Sequence, residues 1–241
     1  MCGKLKTVNR GIDAEDDRWF SGEAVVKLQK AQHEIKWLLN RDYNVNSVLK
    51  MVGNHYQFSS RQRDALRRST ASDEKSEARI SKCICGNALK NSILYIDGFN
   101  LIITLEAAFS GAPIILCSDG TFRDLAGLRG TYRIIDKTRL AVNAVGKELY
   151  ITEAAGAEFF LDKGVSNSGR LKKFILESSA GWNTRVKVEL MDSVDSFLYG
   201  KEYVVTSDSI ILDQCLSWCN FARIIVENCI PDTHIVDLSG K

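Results

Sequence analysis

Read for the spacing of apolar and polar positions, the chain changes character near residue 85. In the first part, "GEAVVKLQKAQHEIKWLLNRDY" sets Val25, Leu28, Ile35, Leu38 and Leu39 along one helical face. "NVNSVLKMVGNHYQ" predicts a second helix, opened by an asparagine or serine cap near Asn46 or Ser47. Ser59 or Ser60 then opens "RQRDALRRSTA", a short basic helix. No convincing strand interrupts these segments. The expectation is a small all-α domain over residues 1–85, compatible with a helix-turn-helix arrangement, with Trp19, Phe20, Tyr56 and Phe58 as core rather than stacking platforms. The polar segment "STASDEKSEARISK" reads as a linker or solvated helix at its end.

Beyond that boundary, strand-length apolar runs alternate with helical patterns. The runs are "SILYI", "PIILC", "EFFL", "RVKVELM", "EYVVT" and "ARIIVE", with "HIVDL" as a last one. Between them lie "LIITLEAAFSG", "TRLAVNAVGKELYITEAAG", "GRLKKFILESSA" and "SIILDQCLSWCN". This alternation predicts an α/β domain over residues 86–241. Its sheet would be mainly parallel and Rossmann-like, with helices on both faces and right-handed crossovers.

Composition narrows the class. An apolar fraction of 45% with 26% charged residues describes a folded soluble chain. No run of about 18 apolar residues occurs, and "MCGKLKTVNRGIDAEDD" lacks a signal-peptide core, so a cytoplasmic protein without membrane association is expected. The seven cysteines show no CxxC spacing, and Cys83-Ile84-Cys85 and Cys215-x3-Cys219 read as buried or free thiols of a reducing compartment. Net charge is +2, unevenly divided: residues 1–90 hold 17 Lys and Arg against 11 Asp and Glu, and the remainder 15 against 19.

Candidate chemistry follows from the sheet. Ligands of open parallel sheets collect beyond the carboxyl ends of the strands. There "SILYI" is followed by Asp97, "EFFL" by Asp162, and "EYVVTS" by Asp208. Each acid alone reads as a turn residue or helix cap. Three like charges at one sheet edge ask for a cation or a proton, and carboxylate oxygens suit Mg²⁺ or Mn²⁺. Further acids are less clear. Asp119-Gly120 predicts a hairpin turn. Asp124, in "FRDLAGLRGTYR" with Arg123, Arg129 and Arg133, is either another acid of the site with arginines gripping phosphate, or part of a surface helix with internal ion pairs. Asp213 lies about 140° further round a helix than Asp208, so it needs a bent first turn to share a metal. Asp192 and Asp195, after "VKVEL", read as a turn and a helix cap, which lie away from the site if that strand is peripheral.

Two segments suggest phosphate contact. In "DKGVSNSGR", Ser166, Asn167 and Ser168 either cap the next helix or meet a phosphate there, although no Walker pattern is present. In "SSRQRDALRRS", Arg61, Arg63, Arg67 and Arg68 either neutralise nucleic-acid phosphates or form a solvated face.

"YIDGFNLI" and "VVTSDSII" resemble the first and third acidic motifs of the PIN-like superfamily of metal-dependent nucleases, in particular its NYN branch. "FFLDKGVSNSG" resembles an intermediate strand of that branch, and the likeness covers roughly residues 92 to 228. It implies that Asp97, Asp162 and Asp208 hold the metal, that Asn100 orients a substrate phosphate or water, and that Thr206 and Ser207 support the loop. The whole chain also resembles the largely archaeal domain-of-unknown-function family 434, which pairs a helical N-terminal part with a segment like "YIDGFNLIITLEAAFSGAPIILCSDGTFRDLAGLRGTYR".

The resulting expectation is a divalent-metal-dependent ribonuclease, with Mg²⁺ or Mn²⁺ as cofactor and RNA as partner, a homodimer being left open. Its rival is a catalytically silent PIN-like module that binds RNA or protein. A nucleotide enzyme on a doubly wound sheet ranks below both, because GxGxxG and Walker signatures are lacking.

Overall fold

The computed structural model describes residues 8–127 and 130–240. Five helices come first: α1 (Asp16–Trp19), α2 (Gly22–Leu39), α3 (Val45–His55), α4 (Ser60–Ser69) and α5 (Asp73–Ser81). Polar side chains open four of them by accepting free N–H groups of the first turn. Ser21 caps α2, Asn44 caps α3, Ser72 caps α5, and Ser59 caps α4 in a reciprocal box with Gln62. The asparagine or serine cap expected near Asn46 or Ser47 is Asn44, whose carboxamide oxygen accepts from both of their N–H groups. The expected linker contains α5, whose polar surface conceals two buried residues, Ser76 and Arg79.

The remaining elements, in chain order, are β1 (Cys83–Ile84), β2 (Ile93–Asp97), α6 (Gly98–Phe109), β3 (Ile114–Leu116), β4 (Phe122–Arg123), α7 (Asp136–Ile151), β5 (Gly156–Asp162), α8 (Ser168–Ser179), β6 (Arg185–Met191), α9 (Val194–Leu198), β7 (Val204–Val205), α10 (Ser209–Gln214), β8 (Trp218–Cys219), α11 (Phe221–Cys229) and β9 (Ile235–Asp237). Six strands form an all-parallel sheet in the order β1-β8-β7-β2-β5-β6. The α/β class with a mainly parallel sheet is therefore as expected. Period-two alternation sorts its side chains: Leu94, Ile96, Phe159 and Leu161 join the core under α6, α7, α8 and α11, while Tyr95 and Phe160 face α9 and α10.

Two expected strands are placed otherwise. "ARIIVE" lies in helix α11, where Phe221, Ala222, Ile225 and Val226 are buried at helical spacing; a short apolar run does not distinguish the two states. "PIILC" forms β3 but leaves the main sheet, pairing with β9 in parallel and β4 in antiparallel fashion. The β3–β4 turn contains Asp119 and Gly120, the latter at φ 81°, as the hairpin reading requires. "SIILDQCLSWCN" ends in β8 rather than staying helical, and β1 is too short to show in the sequence pattern.

The N-terminal helices share a core with the small sheet. Leu28, Ile35, Val48, Leu49 and Leu66 pack with Ile115, Cys117, Val236 and Leu238. Phe20 and Phe58 are buried in it, and Trp19 and Tyr56 pack at its edge. Among the described residues, no helix is long and apolar enough to cross a membrane.

Buried charge joins the layers. Arg79 of α5 pairs with Asp119 (Nη1–Oδ2 2.9 Å) and Asp213 (Nε–Oδ1 2.6 Å), and Arg123 of β4 pairs with Asp119 (Nη2–Oδ2 2.8 Å). Burial pushes the Asp119 carboxyl up, but Arg123, Thr121 and Arg79 together hold it below its ordinary value. Removing one partner of such a network strands the others without solvent. Arg79→Ala is therefore expected to cost about 3–5 kcal/mol of stability, read as a lower urea midpoint. A change below about 0.5 kcal/mol, the usual range for surface substitutions, would contradict that role.

Candidate functional site

The chain leaves β2 for β5 and β6 on one side, then returns to place β7 on the other side of β2. The carboxyl ends of β2 and β7 thus flank the point where strand order reverses, the usual ligand crevice of such sheets. Asp97 ends β2 and caps α6, its carboxylate accepting from the Asn100 N–H at 3.3 Å. The turn-residue reading of Asp97 is correct, but incomplete. Its second oxygen accepts from Thr206 Oγ1 at 2.9 Å, and that same hydroxyl accepts the Asp208 N–H at 3.1 Å. Asn100 closes the pair from the other direction: its Oδ1 accepts from the Ser207 N–H (2.8 Å) and hydroxyl (3.0 Å). The "DGFN" and "TSD" segments are thereby latched together across two strands.

Gly98 is dictated by this close approach. A Cβ there would stand 2.6 Å from Leu161 Cδ2 and 3.0 Å from the Phe160 carbonyl, so only glycine lets α6 start against β5.

Four acids surround the crevice in graded exposure. Asp97 is buried at its base, Asp162 and Asp208 are half-buried, and Asp195 is exposed at its rim. Burial, reinforced by the charges of Asp208 and Asp195, pushes the Asp97 carboxyl up to about 7, against the lowering hydrogen bonds from Thr206 and Asn100. Asp195 is also raised, by burial first and then by Asp208 and Asp162. Among the described residues, none of the four has a Lys or Arg within ion-pair distance. Asp195 corrects the sequence reading that set it aside: β6 is an edge strand, yet the short helix α9 carries the residue back toward Asp208 and Asp162. Asp162 accepts from the Val194 N–H at 3.4 Å, at the start of that same helix. Asp192 stays outside, loosely paired with Lys163 at 3.7 Å.

Among the described residues, no three His, Cys, Asp or Glu side chains gather as a ready-made metal cage. Carboxylate oxygens are the donors that hard ions such as Mg²⁺ accept one or two at a time, with water in the other positions. The further metal candidates are spent elsewhere. Asp213 is turned to Arg79. Asp124 is buried off any helix, accepting from Thr104 Oγ1 at 2.8 Å and from the Ala126 N–H.

Most candidate phosphate-binding arginines are structural. Arg123 donates to the Ser207 carbonyl at 2.7 Å, to Asp119, and to the Arg68 carbonyl, so it braces the site loop and has no fork left for a substrate. Arg61 pairs with Asp16, Arg63 binds the Phe58 and Gly53 carbonyls, and Arg68 binds the Asp124 carbonyl. Arg67 is exposed but donates to Asn46 at 2.7 Å. The basic front of the chain is thus used largely to tie the helices together. Arg133 is exposed, and Arg129 lies outside the described residues. Asn167 occupies the cap position of α8 in a left-handed conformation (φ 68°), but its side chain donates to the Tyr132 carbonyl at 2.7 Å instead of capping. Ser166 is exposed in the preceding loop, and Ser168 is buried in the first turn.

The raised Asp97 value has a measurable consequence. Below the ordinary Asp range both folded and unfolded chains are protonated there; from about pH 4 to about pH 7 only the folded chain keeps the proton. Stability contributed through Asp97 therefore falls as pH rises across that window and is level above it. In EDTA, the urea-denaturation stability of Asp97→Asn is expected to gain on that of the wild type through this interval. A stability difference independent of pH would contradict the burial effect.

Comparison with known proteins assigns the segments to two families. Residues 86–224 match the domain of unknown function DUF5616, and residues 27–82 match the protein of unknown function DUF434. The likeness to family 434 is thus confined to the helical part, and "YIDGFNLI" with its continuation falls in the second family. The chain is 34% identical over 187 residues to the uncharacterized protein MJ0935 of Methanocaldococcus jannaschii, covering 78% of this chain and 89% of the relative. No solved structure matches it. The acids of the crevice, Asp97, Asp162, Asp195 and Asp208, all lie inside the longer matched segment, and the chain belongs to the DUF5616 family.

Proposed function

We propose that this protein is a divalent-metal-dependent ribonuclease of PIN-like type, with its active site at the carboxyl ends of β2 and β7. The observation that carries the reading is the buried Asp97 carboxyl, raised to about 7 beside Asp208 and Asp195, with no Lys or Arg within ion-pair distance among the described residues. Such a group is costly to the fold, and strongly perturbed acids in a crevice mark functional sites. The resemblance of "YIDGFNLI" and "VVTSDSII" to PIN-like motifs supplies the reaction class. Asp97 and Asp208 would hold Mg²⁺ or Mn²⁺, with Asp162 and Asp195 on the open side. Such an ion stabilises charge developing on a phosphodiester and eases ionisation of water near neutral pH.

The chain's own groups would prepare this site. Thr206 and the Asn100 N–H orient the Asp97 carboxylate before any ion arrives, which lowers the cost of assembling it. Asn100 spends its oxygen on Ser207, leaving its NH₂ as the donor for a phosphate oxygen or water. Arg123 holds the Ser207 carbonyl and so fixes the loop, a positioning role in place of the phosphate grip expected of it.

Purified protein with Mn²⁺ and single-stranded RNA is expected to release shorter products, and Asp97→Asn and Asp208→Asn to slow this by about 100-fold or more. Cleavage untouched by both substitutions would refute the assignment. That no three-carboxylate cage forms among the described residues favours a second reading, a silent PIN-like module that binds RNA or protein. RNA binding with no Mn²⁺-dependent cleavage under any of these conditions selects it.

A further inference from the structure

A groove of about 1060 Å³ includes Asn167 in its lining, at the end of the loop that follows Asp162. Its walls come from residues 8–11, Ala126, the segment before α7, the start of α7 and one face of α8, and they carry Arg133, Arg139 and Arg170. The segment is sewn to the α8 loop: the Ser166 N–H donates to the Gly130 carbonyl, the Tyr132 N–H to the Ser166 carbonyl, and Asn167 Nδ2 to the Tyr132 carbonyl. Arg10 braces the same segment by donating to the Arg133 carbonyl at 2.7 Å. Arg139 lies over the Phe174 ring at 5.7 Å, which sets α7 against α8. Arg170 and Phe174 are one turn apart on α8 and share its groove-facing stripe.

These arginines differ from those of α4. All three are exposed, and among the described residues none of them pairs with a carboxylate. The acid lining the groove, Glu177, has Lys173 as its partner at 3.7 Å. Because Asn167 does not cap α8, the positive end of that 12-residue helix adds to the field at the groove. The loop 163–167 joins the groove wall directly to Asp162 at the edge of the acid crevice. Three unneutralised guanidiniums with an aromatic ring among them match a chain of phosphates with flat bases, since Arg grips phosphate and rings accept bases without regard to sequence.

We infer that the Arg133–Arg139–Arg170 groove is a binding track for the backbone of single-stranded RNA leading to the acid crevice. This rests on the reading of the crevice as a site that acts on phosphodiesters. Binding and cleavage can nevertheless fail separately.

The test is anisotropy of a fluorescein-labelled single-stranded RNA of about 12 nucleotides, with the full chain in EDTA, over a series of salt concentrations. The wild type is expected to bind, with affinity falling steeply with salt. Arg133→Ala, Arg139→Ala and Arg170→Ala combined should weaken binding at least about tenfold and reduce the salt slope by about 2, as three lost phosphate contacts require. The corresponding Arg→Lys triple should keep most of the slope, which separates lost charge from a damaged fold. Removing equal charge elsewhere, with Lys30→Ala, Lys50→Ala and Lys75→Ala, should change little. A protein that binds through the groove but never cleaves refutes only the nuclease reading. An unchanged affinity and slope in the Arg→Ala triple overturns the groove even if cleavage persists. So does failure of the wild type to bind RNA, or equal competition by polyglutamate, which would mark a docking surface for acidic protein.

Discussion

Asp119 accepts from two buried guanidiniums, Arg79 of α5 and Arg123 of β4, and the rest of the architecture hangs on that pairing. Buried ions are tolerable only when matched, and the match here is close: Asp213 takes the other edge of Arg79, and the Arg123 fork ends on the Ser207 and Arg68 carbonyls. One neutral set of charges thereby joins the N-terminal helices, the β3–β4 hairpin and the loop after β7. The hairpin could not otherwise sit between two layers, because its Asp119 would be an unpaired charge in a dry place.

The site is organised in the opposite manner. Where the hairpin balances every charge, the crevice at β2 and β7 collects acids and supplies only hydroxyl and amide donors. Rigid scaffolding around an electrostatically unfavourable cluster is a common arrangement at functional sites, since the strain is held by structure elsewhere. The two systems touch at Ser207, whose carbonyl accepts from Arg123 while its N–H and hydroxyl bind Asn100. The balanced network thus holds the loop that carries the unbalanced one.

Charge along the chain gives a misleading picture of charge in space. The N-terminal 90 residues are basic, but Arg61, Arg63, Arg68 and Arg79 are consumed by Asp16, by backbone carbonyls and by Asp119. The arginines that stay exposed and unpaired around a groove, Arg133, Arg139 and Arg170, come from the acidic remainder. Separating free from consumed guanidinium requires the fold, because each residue type reads identically in sequence.

Sequence alone determined the alternating α/β order, because strand and helix periods differ, and a cap such as Ser59 works through local hydrogen bonds. It also singled out Asp97, Asp162 and Asp208, since three strands that each end in an acid, or reach one within two residues, gather like charge at one sheet edge. Local pattern misassigned the strand at 222–227, where a short apolar run suits helix and strand equally. It passed over Asp195, which joins the acids only because β6 and α9 fold back beside β5. It could not place Asp213, Asp124 or Arg123 either, since each faces a partner far along the chain or across a layer. Pairing of that kind is set by tertiary packing. A carboxylate's neighbours decide whether it is a counter-ion, a cap or an exposed charge at a crevice, and those neighbours exist only once the layers have closed.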